Sequence, residues 1–213
     1  MIHLPPALIA VVAVLAWGLG DMQRRPAPSG TPGSSELSPR LLIAALDTCI
    51  QKRFRKIDEM FGIRRVVRLD ETPHVFRPGN TAEWDAVQDL DRAGLEVLLY
   101  VAGRRVLADD PAMAELLDAR GWSAVKGPVE ITRGSSLGEA RPASTSLRDA
   151  ARRAFASSVR GEDYEFRSGP WQFVARAVRA TETACLQCHA RRGDTELRMG
   201  DPLGVVLYGY RAR

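Results

Sequence analysis

The sequence predicts an α+β protein whose strands are concentrated around and after the middle of the chain. Apolar residues recur at helical spacing from Leu41 to Phe61, which is the strongest helical pattern present. Tyr164–Arg167 and Trp171–Val178 flank the turn Ser168-Gly169-Pro170 and predict a β-hairpin. A last apolar stretch, Gly204–Arg211, predicts one more strand. Together these patterns indicate a single α+β domain.

The first helix has the clearest boundaries, because Ser38 and Pro39 form a typical helix start and Gly62 ends the pattern. Most of the other predicted elements are also bounded by capping residues, proline or glycine. They are helices over Thr81–Ala93, Asp110–Gly121 and Ser146–Arg160, and a strand over Leu95–Val101 that turns back through Ala102–Arg105. Residues 122–145 are rich in Gly, Pro and Ser and receive no assignment.

The N-terminus carries an uncharged run, Leu4–Gly20. As a helix it would span about 25 Å, at the short end for a bilayer core of about 30 Å. No Lys or Arg precedes the run and Arg24 and Arg25 follow it, unlike a standard signal peptide. We expect a membrane anchor or signal segment at residues 1–20, and favour an uncleaved anchor over a cleaved signal or a buried helix. A flexible linker at 21–38 and a folded domain at 39–213 follow.

Composition and charge narrow the classes of function. The 213 residues have a formal net charge of +4, and the arginines are mixed with acidic residues along the chain. This distribution is typical of a solvated surface, so we expect no nucleic-acid partner. No Ser/His/Asp set, carboxylate pair or phosphate-binding glycine loop stands out, so we do not expect an enzyme.

One motif carries chemistry: Cys185-Leu186-Gln187-Cys188-His189. Cys-x-x-Cys-His is the attachment signal for c-type haem. Two thiols about one helical turn apart can form thioether bonds to the two vinyl groups of the porphyrin, and the adjacent histidine can then ligate the iron. The chain has only three cysteines and three histidines, so this clustering is informative. We therefore predict one covalent haem c held by Cys185, Cys188 and His189.

Three other interpretations of the Cys pair remain open. A thioredoxin-like redox pair is expected at a strand-to-helix junction in a βαβ unit, which the sequence pattern does not supply. A structural zinc site needs four ligands, and a second pair of ligands is missing. A disulfide between Cys185 and Cys188 is the simplest alternative for an exported protein.

The chain resembles a family of single-haem, extracytoplasmic domains with a PAS-like core, found alone or as sensing parts of bacterial signalling proteins. The resemblance rests on the late Cys185-to-His189 motif, on Gly200-Asp201-Pro202-Leu203-Gly204 before a final strand, and on a long amphipathic helix after a membrane segment. It implies a PAS-like antiparallel sheet. In that family such a helix cysteine can supply the second axial ligand of the iron, and the resemblance implies that this position falls to Cys49.

The residues themselves also single out Cys49. It is the odd cysteine of the chain and lies on the apolar stripe of its helix, where Lys52 and Arg53 would favour a thiolate or instead pair with haem propionates. The plainer alternative is a small buried hydrophobic residue. His74 and Met199 are weaker candidates for the sixth ligand, and we expect Met199 to serve in packing. The aromatic residues near the motif are expected to be pocket walls or ordinary core: Trp171, Phe173, Tyr208 and Tyr210.

Two functions follow from this site. The first is electron transfer by a membrane-anchored haem protein with its haem domain in the periplasm or an equivalent compartment, working with a redox partner. The second is a redox or gas sensor in which the Fe–S bond breaks and a partner signalling protein receives the change. A six-coordinate iron in both oxidation states would favour electron transfer, and a five-coordinate ferrous iron that binds CO would favour sensing.

Overall fold

The computed structural model describes residues 38–56, 66, 75–107, 128–132, 142–191 and 195–213. They form the α+β fold that the sequence predicts. The helices are α1 (Pro39–Arg55), α2 (Thr81–Arg92), α3 (Arg104–Leu107), α4 (Ser144–Val159) and α5 (Thr183–Ala190). The strands are β1 (Leu95–Gly103), β2 (Val129–Glu130), β3 (Glu165–Ser168), β4 (Trp171–Arg179) and β5 (Pro202–Ala212).

The five strands form one antiparallel sheet in the order β2-β1-β5-β4-β3. The last strand, β5, lies at the centre and pairs along its length with β1 on one side and β4 on the other. The predicted hairpin is confirmed: β3 and β4 pair across a turn in which Gly169 has a φ of 57°. Gly169 suits this position because a left-handed backbone costs glycine little.

Each face of the sheet supports its own hydrophobic core. On one face, buried residues of α1 and α2 pack against alternate residues of β1, β4 and β5, among them Ile43, Leu46, Leu99, Val206 and Tyr208. We call this the α1 core. On the other face, α4 packs its alanines and Leu147 against the intervening strand residues, including Trp171 and Phe173. The alternation follows from the two-residue period of side chains along a strand.

The first helix is shorter than predicted. Lys56 has an extended backbone with φ −66° and ψ 123°, so α1 ends at Arg55 instead of continuing to Phe61. The apolar period continues beyond this point in the sequence, but the backbone of Lys56 does not follow it. At the other end, α1 begins at Pro39 as the Ser38-Pro39 pair predicts.

Other boundaries differ by a few residues. The predicted turn at 102–105 is the end of β1 followed by the short helix α3, and β5 begins two residues earlier than predicted. The helices predicted over 81–93 and 146–160 are confirmed as α2 and α4. The segment at 1–20, most of the linker and the helix predicted over 110–121 lie outside the described residues. Within the described part of the chain, no helix is long and apolar enough to span a membrane.

A buried ion pair joins the last turn of α1 to the first turn of α2. Arg53 donates from Nε and Nη2 to the two carboxylate oxygens of Glu83 at 2.8 and 2.5 Å, and its guanidinium lies over the Phe76 ring at 4.6 Å. The backbone N–H of Gly79 also donates to Glu83, at 2.6 Å. The pair therefore holds the C-terminal end of α1 at the N-terminal end of α2.

Glu83→Gln should lower the free energy of unfolding at neutral pH by about 2 kcal/mol, because it removes the charge from a buried hydrogen-bonded pair. Burial alone would raise the pKa of Glu83, but the hydrogen bonds from Arg53 and Gly79 outweigh it and the pKa is lowered. The wild-type stabilisation is thus present above the unfolded-state pKa and disappears as pH falls through the folded-state pKa.

Urea unfolding at neutral and acidic pH measures both effects. The variant should lose stability at neutral pH and depend less on pH in the acid range. Glu162→Gln is the control, because Glu162 forms an exposed pair with Arg160. Equal losses in the two variants would contradict the structural role of the buried pair.

Candidate haem-binding site

The Cys-x-x-Cys-His motif lies on α5, within the segment that leaves the end of β4 and returns to β5. Backbone hydrogen bonds close the base of this segment: Ala180 N–H donates to Asp201 O at 2.9 Å, and Gly200 N–H donates to Ala180 O at 2.8 Å. Arg179 Nη1 adds a bond of 2.9 Å to Gly200 O. We call the segment between Ala180 and Gly200 the motif loop. Its two ends are thus held together where β4 ends and β5 begins.

Helical geometry places the three candidate ligands on one face of α5. Cys188 and His189 follow Cys185 by three and four residues, and side chains at these spacings are neighbours on a helix surface. All three side chains are partly buried, and both thiols are free. This is the donor set and spacing that a c-type haem requires, so the residues present fit the group.

The helix itself belongs to neither core. It has eight residues and none of them is buried. Isolated helices of this length are marginal in water, because the cost of forming the first turn is spread over few hydrogen bonds. An apolar group held on the face of Cys185 and His189 would supply the packing that such a helix normally takes from a core.

The structure bears on the other interpretations of the motif. Cys185 and Cys188 are free thiols and form no disulfide. The motif does follow a strand, but β4 and β5 are antiparallel neighbours, whereas a thioredoxin-like unit has parallel strands with a crossover helix. Among the residues that the structure describes, no three His, Cys, Asp or Glu side chains are grouped so that they could hold a metal ion.

Cys49 is buried on α1, with 9% of its surface exposed, as its place on the apolar stripe predicts. The nearby cations favour its thiolate, as expected, but their effect on the pKa is outweighed. Burial raises the pKa of the Cys49 thiol and the Glu83 carboxylate raises it further, whereas Lys52 and Arg53 only partly oppose them. The sequence could not predict this balance, because Glu83 comes from another helix.

The remaining candidates have different surroundings. His74 lies outside the described residues. Met199 is 52% exposed, so the expectation that it serves in packing is wrong.

All four aromatic residues near the motif are buried, and they divide between the two cores: Trp171 and Phe173 on the α4 side, Tyr208 and Tyr210 on the α1 side.

The sequence patterns did not reveal a partly buried polar pair on α1 and β5. The Tyr208 hydroxyl donates to Asp47 Oδ1 at 2.8 Å, and Gln51 Nε2 donates to the same oxygen at 3.1 Å. Burial raises the pKa of Asp47, against the opposing effect of these hydrogen bonds. The available signal was an acidic residue between Leu46 and Cys49 on an otherwise apolar helix face.

Comparisons of the chain with protein families, with curated proteins and with solved structures found no match.

Proposed function

We propose that this chain is a membrane-anchored, extracytoplasmic c-type haem protein that acts in electron transfer. One haem c is held covalently by Cys185 and Cys188, and His189 is an axial ligand of its iron. The observation that best supports this proposal is that these three side chains share one face of a helix that belongs to neither core. A haem held there supplies a one-electron carrier. The residues provide attachment and orientation, so we propose a carrier and not an enzyme.

The partial exposure of α5 supports transfer to a partner protein. Neighbouring positions on α5, Thr183, Gln187 and Ala190, are exposed. A redox group attached to this helix therefore lies close to the protein surface, where a partner can approach it. The five-stranded antiparallel sheet, with α1 along one face, supports the further proposal of a PAS-like frame.

We also propose Cys49 as the second axial ligand. The C-terminal half of α1 approaches β4, because Gln51 Nε2 donates to the Ala177 carbonyl at 3.3 Å. Ala177 comes shortly before the motif loop begins, so the helix that carries Cys49 reaches the end of the sheet from which the loop leaves. Burial of Cys49 supports this role, because it keeps competing water from the sulfur.

Absorption spectra of the full chain, expressed with export and c-type haem maturation, test the function. We expect the pigment to stay with the protein through acid and organic-solvent extraction, and to give a pyridine haemochrome spectrum of a haem without free vinyl groups. For electron transfer, the iron should remain six-coordinate after reduction and fail to bind CO. Rapid CO binding to a five-coordinate ferrous form would support the sensor function instead. Extraction of all pigment would contradict the proposal.

Cys49→Ala should shift the ferric absorption bands and raise the reduction potential, because a sulfur ligand that stabilises ferric iron is lost. Met199→Ala is a suitable control, because Met199 lies in the motif loop and its replacement removes a different sulfur atom. Unchanged ferric bands in Cys49→Ala, together with changed bands in Met199→Ala, would assign the ligand to Met199.

A further inference from the structure

The C-terminal end of α1 and the motif loop lie at the same end of the sheet. The contact between Gln51 and Ala177 brings α1 to the end of β4 that leads into the loop. The hydrogen bond from Tyr208 to Asp47, one turn earlier on α1, gives the direction of the helix. Tyr208 pairs with Val174, and Ala177 lies three residues further along β4 toward the motif loop.

The motif loop returns to the sheet beside the C-terminal end of β1. Gly103 at the end of β1 pairs with Gly204 near the start of β5, and Gly204 pairs with Val178 near the end of β4. The last turn of α1, the end of β4 and both ends of the motif loop are therefore neighbours.

At this end the α1 core is incompletely covered. Phe54 in the last turn of α1 and Val178 on β4 pack against the core but are only partly buried. Deeper residues of the same helix and strand, Leu46, Ile50 and Val174, are at most 4% exposed. Phe54 and Val178 thus form an apolar margin on the face of the sheet that also carries Cys49. We call these two residues the core margin.

We infer that the core margin is the apolar surface on which the porphyrin rests, an inference that depends on the proposed haem attachment. A porphyrin ring has two large apolar faces, and leaving them in water costs about 25 cal/mol per Å². The motif helix itself contributes no buried apolar residue on which a porphyrin could rest. Phe54 and Val178 supply apolar contacts beside the loop, on the same side of the sheet as the proposed ligand Cys49.

The core margin has a specific consequence for the iron. Apolar side chains against the porphyrin exclude water, and the access of water changes the relative stability of the ferric and ferrous states. Shortening them should admit water and shift the reduction potential without affecting the thioether bonds. Phe54 and Val178 therefore position the porphyrin and tune the reduction potential of its iron, whereas Cys185 and Cys188 attach the porphyrin to the protein.

The test uses Phe54→Ala and Val178→Ala in the full chain, matured with haem. Each variant should keep its covalent haem, show a shifted midpoint potential and show an altered Soret circular dichroism, which reports the surroundings of the porphyrin. Leu41→Ala is the matched control, because Leu41 lies on the same helix but is 60% exposed at its other end. Phe54→Leu keeps most of the core volume and serves if Phe54→Ala does not fold.

The outcomes separate this inference from the function on which it rests. Covalent haem with an unchanged potential and an unchanged Soret signal in the Phe54 and Val178 variants would overturn the core margin as a haem contact and leave the proposed function intact. A wild-type protein without covalent haem would overturn both. Equal shifts in Leu41→Ala would also overturn the inference, because they would reveal a general effect of α1 stability.

Discussion

Replacing both Cys185 and Cys188 by alanine should abolish covalent haem in the matured protein, a complete loss where the wild type retains all of its pigment. Each thioether bond forms when a thiol adds across a porphyrin vinyl group, with the sulfur bonding to one carbon and the proton going to the other. Alanine has no thiol, so neither bond can form. His189 alone would leave the haem held only by coordination, which acid and organic solvent break.

Haem staining after denaturing electrophoresis measures this loss directly. The control is Cys49→Ala, which removes the third cysteine and should keep the stain, because Cys49 lies on a different element from the attachment pair. Single variants of Cys185 and Cys188 should each remove one thioether and shift the haemochrome band toward that of a haem with one free vinyl group. Persistent staining of the double variant would contradict attachment through the motif.

Gly204→Ala should lower the free energy of unfolding by about 3 kcal/mol, the upper part of the range for overpacked sites. A Cβ at Gly204 would lie 2.6 Å from the carbonyl oxygen of Ala102 and 3.0 Å from the Cα of Gly103. These are backbone atoms of the paired strand β1, so no side chain can rotate away to relieve the overlap. The central pair of strands would have to separate where the motif loop returns to the sheet.

Gly103→Ala is the matched control, because Gly103 is the pairing partner of Gly204 and a Cβ there meets nothing within 4 Å. Its effect on stability should be within about 1 kcal/mol, the range for a glycine replaced at a compatible backbone position. Urea unfolding of the two variants and the wild type measures the difference. Equal stabilities of the two variants would contradict the close approach of β5 to β1.

Local patterns were enough to predict much of the fold. The hairpin formed by β3 and β4 follows from alternating strand residues around Gly169 and Pro170, whose backbone preferences act within a few residues. The start of α1 follows in the same way from Ser38 and Pro39. The end of α1 was mispredicted, because an apolar period describes which side chains could face a core and not whether the backbone remains helical.

Long-range contacts could not be predicted in this way. No local signal at Glu83 indicates that Arg53 will bind it, and no local signal at Gly204 indicates that Ala102 will lie against it. The raised pKa of Cys49 depends on the same kind of contact, since burial and Glu83 outweigh the cations on its own helix. The aromatic residues near the motif were recognised as buried or pocket residues, but their division between two cores depends on strand register.

The sequence by itself determined the α+β class and the chemistry-bearing motif, because Cys185, Cys188 and His189 are close in the chain and helical spacing alone puts them on one face. Only the tertiary structure decided what surrounds that motif. The motif lies on a helix between β4 and β5 that has no buried residue, and the last turn of α1 with the partly buried Phe54 and Val178 lies at the same end of the sheet. The physical reason is that these neighbours are brought together by strand pairing and helix packing between segments far apart in the chain.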